Sequence, residues 1–83
     1  MLHTIEYPID YTMRAEDRRK AVASGLRKAL STENEIRFSK DYSMWKSGIN
    51  LVLCAYGHKP HKVNIKDMTF EDVVDEIIEA FHF

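Results

Sequence analysis

Two stretches of the chain repeat apolar residues every three or four positions, and four shorter ones follow the two-residue rhythm of strands. Leu2 to Tyr7 (LHTIEY) alternates over β-branched and aromatic residues until Pro8, which cannot donate to a ladder, and predicts a strand. From Thr12 the period lengthens. Thr12 is the expected N-cap of a helix running from about Met13 to Leu30, with Glu16 and Asp17 near its positive end and Arg27 and Lys28 near its negative end. Steps of 100° gather Ala15, Val22, Leu26, Ala29 and Leu30 on one arc, with Arg18 and Arg19 at its margins. Ala21, Ala23 and Gly25 are small enough for another element to approach this helix closely.

Glu35 to Ser39 alternates polar and apolar and predicts a half-buried strand, whereas Lys40 to Gly48 (KDYSMWKSG) mixes turn formers with large side chains and reads as a loop. Ile49 to Tyr56 is apolar on both alternating sets, as expected of a strand covered on both sides or central in a sheet. Lys62 to Lys66 returns to clean alternation, Val63 and Ile65 inward and lysines outward. The last element begins with Thr69 as N-cap and Asp72 three residues on, an aspartate capping box, and Phe70, Val74, Ile77, Ile78 and Phe81 recur at helical spacing to about Phe81. The expected fold is therefore a single α+β domain over residues 1–83 in the order β-α-β-β-β-α. Its simplest packing is an antiparallel sheet with both helices on one face.

Composition narrows the class of protein. Eighty-three residues with 45% hydrophobic and 30% charged side chains belong to an ordinary folding domain, and dimerisation would add stabilisation to so short a chain. One cysteine gives no internal disulfide and points to a reducing, cytoplasmic setting. The longest apolar run, Leu51 to Tyr56, is too short for a membrane span, and MLHTIEYPID turns polar too early for a signal segment. Net charge is −1, yet all 12 Lys and Arg lie within residues 11–66 and six of the 13 acids lie within residues 67–83. The chain is polarised along its length.

The richest chemical stretch is CAYGHKPH, which sets Cys54, His58 and His61 within eight residues. A zinc site needs three or four ligands converging at about 2.0–2.3 Å, and only His3 and His82 are available to complete this set. Gly57 and Pro60 bracket a hairpin turn in which polar residues are expected, so no metal, cofactor or catalytic residue is assigned. Glycine-rich phosphate loops and paired-cysteine motifs are absent from the sequence as well.

Two surfaces remain. Tyr42, Met44, Trp45 and Lys46 would present large contact area on a loop, and Glu71, Asp72, Asp75, Glu76 and Glu79 form an acid row on the last helix; together they are the candidate partner-binding residues. Arg14, Lys20, Arg27, Lys28, Arg37, Lys40, Lys59 and Lys62 form the candidate nucleic-acid set, with Tyr42 and Trp45 available to stack on bases. The order helix, three strands, helix over residues 13–81 is similar to double-stranded RNA-binding domains and to small toxin-like RNases. Those families place a basic motif at the start of the last helix, where this chain has Thr69-Phe70-Glu71-Asp72. The expectation is a non-catalytic interaction protein that masks or inhibits a protein or nucleoprotein partner, such as a virus- or mobile-element-encoded inhibitor of a host complex. The alternative is an RNA- or DNA-binding domain, or a minimal RNase using His58 or His61 as general acid or base.

Overall fold

The structure, a computed structural model, describes residues 3–83. Its elements are β1 (Thr4–Glu6), α1 (Ala15–Ser31), β2 (Glu35–Ser39), β3 (Tyr42–Ser47), β4 (Asn50–Ala55), β5 (His61–Asn64) and α2 (Phe70–Phe81). The α+β class and both helices are as expected. Leu2, the expected start of the first strand, lies outside the described residues.

Two features correct the expected sheet. The stretch read as a loop is β3, so five strands line up in the order β1-β2-β3-β4-β5, and four of them rather than three separate the helices. This extra strand also breaks the helix, three strands, helix likeness. The sheet is mixed, because β1 pairs with β2 in parallel while the remaining pairs are antiparallel. The cause is the helix between them: α1 carries the chain back across the sheet, so β2 leaves in the same direction as β1. Backbone bonds from Tyr7 and Ile9 to the carbonyls of Arg37 and Phe38, both 2.9 Å, continue this pairing past β1.

Both helices cover one face. Val22, Leu26 and Ala29 of α1 and Val73, Val74, Ile77 and Phe81 of α2 join Ile36, Phe38, Met44, Leu51, Leu53 and Val63 in a single buried cluster. Each large aliphatic or aromatic side chain so buried stabilises the fold by about 1.5–3 kcal/mol. Gly25 lets α1 approach β2 closely: a Cβ there would lie 2.9 Å from Phe38 Cε1 and 3.0 Å from Ile36 Cγ2. At the β2–β3 end the core becomes aromatic, with the Phe38, Tyr42, Phe81 and Phe83 rings in edge or tilted contact.

The helix ends differ from one another. Thr69 and Asp72 form the expected capping box of α2. Thr12 does not cap α1, because its amide and hydroxyl both bond the Asp10 carboxylate; this holds Asp10 below its ordinary range and keeps residues 10–12 in a turn. The helix starts at Ala15 rather than at Met13, with Arg14 at the cap position and no side-chain cap. Arg19, at the margin of α1, spans to α2 and donates to Glu71 at 2.8 Å and Asp75 at 2.7 Å. No described helix is long and apolar enough to cross a membrane.

Candidate functional site

The concave feature with the richest chemistry lies where the β4–β5 turn faces the second half of α2. The turn spans Tyr56 to Pro60, and Gly57 supplies the left-handed backbone (φ 81°) that it requires. Its first half is tied down by two backbone bonds: the Tyr56 amide donates to the Asp41 carbonyl at 2.8 Å, and the His58 amide to the Ala55 carbonyl at 3.0 Å. After the turn, pairing of His61 with Leu53 places His61 on the helix-covered side of the sheet. Opposite it, α2 contributes Glu76, Glu79 and Ala80 before ending at His82, whose φ of 60° lets the Phe83 amide bond back to the Ile78 carbonyl at 3.0 Å.

These elements border an open cavity of 690 Å³. Its floor is apolar, from Leu53, Ala55 and Phe81, and its walls are titratable, from Asp41, His58, His61, Glu76, Glu79 and His82. Tyr42 and Tyr56 add phenol rings and Lys59 an ammonium. Tyr42 packs 4.9 Å from the Phe81 ring, and burial pushes its phenol above the ordinary range, with Tyr11 adding to the effect. It therefore stays a neutral hydrogen-bonding group. Tyr56 is 83% exposed at the rim. His61 Nε2 lies 3.8 Å from Glu76 Oε1, close enough for attraction when the imidazole is charged but beyond hydrogen-bond distance.

Cys54 takes no part in this site. It pairs with Ser43 on the opposite face of the sheet, and burial, followed by the nearby Glu35 charge, pushes its thiol up and keeps it protonated. Among the described residues, no three His, Cys, Asp or Glu side chains are grouped to hold a metal ion.

The predicted partner-binding residues are dispersed over the fold. Tyr42, Met44, Trp45 and Lys46 belong to β3, so alternation sends them to opposite sides. Met44 is fully buried beneath the helices and is not a contact residue, which corrects its assignment to an exposed loop. Trp45 neither projects freely nor joins the main core: it sits half-buried on the uncovered face, paired with Val52. Lys46 is exposed near the strand's end. The acid row is divided by its bonding, with Asp72 in the capping box, Glu71 and Asp75 on Arg19, and Glu76 and Glu79 in the cavity wall. Tyr42, Glu76 and Glu79 are thus the predicted residues that the fold brings together.

The predicted nucleic-acid set is not assembled on one surface. Arg14, Lys20, Arg27 and Lys28 lie on the helical layer, where Arg14 pairs with Glu16 at 3.3 Å and Arg27 stands over the Phe70 ring at 5.3 Å. Arg37 and Lys62 occupy the opposite, uncovered face, Arg37 paired with Glu35 at 3.3 Å. Lys40 and Lys59 sit in separate turns.

Sequence reasoning grouped His58 and His61 only with Cys54 on the hairpin, and did not join them to Asp41, Tyr56 and His82. For His61 a signal existed, since counting by twos from Val63 puts it on the inward face. The others meet only because the end of α2 lies over the hairpin turn, which no local spacing encodes. Comparison with known protein families, with curated proteins and with solved structures finds no match for this chain in any of the three.

Proposed function

We propose that this is a small non-catalytic binding protein that seats a group of a protein partner in the cavity between the β4–β5 turn and α2, and acts on that partner by occupying it. The observation carrying the reading is the cavity itself, an open hollow lined by apolar and polar residues, within the range of about 300–1,000 Å³ usual for ligand sites. Tyr42, Glu76 and Glu79 supply predicted partner-binding chemistry there, and exposed Tyr56 offers an aromatic anchor of the kind that dominates interface energetics. Masking or inhibition of a protein or nucleoprotein complex is the action such a module performs without chemistry of its own.

Affinity capture from the source cell, with and without nuclease treatment, tests the reading when wild type is compared with Ala55→Trp, which fills the cavity floor. The expected result is a partner retained after nuclease and lost with Ala55→Trp; Tyr56→Ala, at an exposed position that leaves folding intact, weakens capture by about 2 kcal/mol. Capture that depends on nucleic acid, or that ignores both substitutions, overturns it. The same lining supports an acid–base reading, because His58 and His61 share the cavity with Lys59. RNA cleavage that disappears in His58→Ala or His61→Ala would replace binding with catalysis.

A further inference from the structure

The cavity carries more fixed negative than fixed positive charge. Asp41 lines it from the β2–β3 turn, and Glu76 and Glu79 from α2. Against these three carboxylates stands one ammonium, Lys59 of the hairpin turn, for a formal charge of −2 while the imidazoles are neutral. An anion placed here would meet carboxylates from two separate elements. A purely apolar group would strip water from them without giving any hydrogen bond in return. A cation does neither, and the tyrosines add a second attraction, since an ammonium or guanidinium is drawn to an aromatic face. Tyr42 lines the hollow from β3 and Tyr56 stands at its rim on the hairpin turn, beside the acidic residues.

We infer that, on the reading proposed above, the group seated in this cavity is an arginine or lysine side chain presented by a basic segment of the protein partner. The arrangement also makes capture sensitive to pH. His58 from the turn, His61 from β5 and His82 from the end of α2 face the same space as the carboxylates. Imidazole is the side chain that gains charge on mild acidification, and each proton added here opposes a bound cation. His61 has a second effect, because once charged it competes for Glu76, which stands 3.8 Å away. A cationic guest is therefore held at neutral pH and released as the pH falls, and an anionic guest would show the reverse order.

The test is a titration of isotope-labelled protein with a triarginine amide peptide, followed by backbone amide shifts at pH 7.5 and 5.5. Triglutamate and inorganic phosphate serve as the anionic probes. The expected result is movement of the Tyr56, His61, Glu79 and Ala80 amides with triarginine, with affinity about tenfold lower at pH 5.5 and about tenfold lower in Glu76→Gln/Glu79→Gln, one factor of ten being about 1.4 kcal/mol. Shifts centred instead on Glu71 and Asp72, or tighter triarginine binding at pH 5.5, overturn the inference. Phosphate or triglutamate moving the cavity amides overturns the ligand class while leaving the cavity as the binding site. If no probe moves those amides and Ala55→Trp still captures the partner, the functional reading falls along with it.

Discussion

Met44 and Trp45 are adjacent in β3, and they show how differently the two faces of one sheet are used. Met44 points to the side under α1 and α2 and has no exposed surface; Trp45 points to the side that neither helix covers and lies half-buried against its cross-strand partner Val52. Most of the covered face is one continuous core. The open face is mostly polar and charged, with Ser43, Arg37, Glu35 and Lys62 around a small apolar island. Val52 is nevertheless only 5% exposed, so a strand flanked by neighbours on both sides buries part of its outer face without any covering layer. Two-sided apolar patterning in β4 therefore reports an interior strand rather than a second layer of helices.

The sharpest way to break this comparison is to truncate both neighbours. Met44→Ala is expected to cost about 2–5 kcal/mol of stability, as cavity-forming changes in a full core do. Trp45→Ala, despite removing a larger side chain, is expected to cost about 1 kcal/mol. Urea unfolding followed by circular dichroism measures both, and equal losses would place Trp45 in a core of its own. A smaller effect sharpens the description of the covered face at its tightest point. Gly25→Ala gains about 1 kcal/mol of helix propensity but forces a methyl into the buried Phe38 ring and Ile36, where overpacking costs about 1–3 kcal/mol. Net destabilisation of about 1 kcal/mol is expected, and a gain in stability would mean that α1 and β2 separate readily. The smallest effect concerns the open face. Because burial holds the Cys54 thiol protonated, a thiol reagent at neutral pH should label it more slowly in the folded protein than in urea. Equal rates would show that Trp45, Val52 and their neighbours do not shelter that surface.

Much of the covered face is legible from spacing alone. The α2 capping box and its apolar stripe lie within thirteen consecutive residues, and the close approach at Gly25 follows from small residues within α1. β3 is hidden because both of its alternating sets carry a large side chain, Tyr42 and Met44 on one and Trp45 on the other, amid turn-forming serine, aspartate and glycine. The parallel register of β1 is hidden for another reason: strand direction is set by the crossover helix and not by the residues that pair. The cavity is least legible of all. Its walls come from turns and a helix end that local periodicity treats as separate, and only the inward phase of His61 announces it.

The Arg19 bridge bears on how a partner would find this molecule. Read as a string, the chain has a cationic middle and an anionic tail, which suggests a strong electric dipole able to steer encounters from a distance. In the folded protein α1 lies against α2, and Arg19 joins Glu71 and Asp75 directly. Opposite charges so close together cancel in the far field, and at physiological ionic strength what remains fades within about 8 Å. Long-range guidance is therefore weak, and the selection of a partner is left to whatever fits on contact.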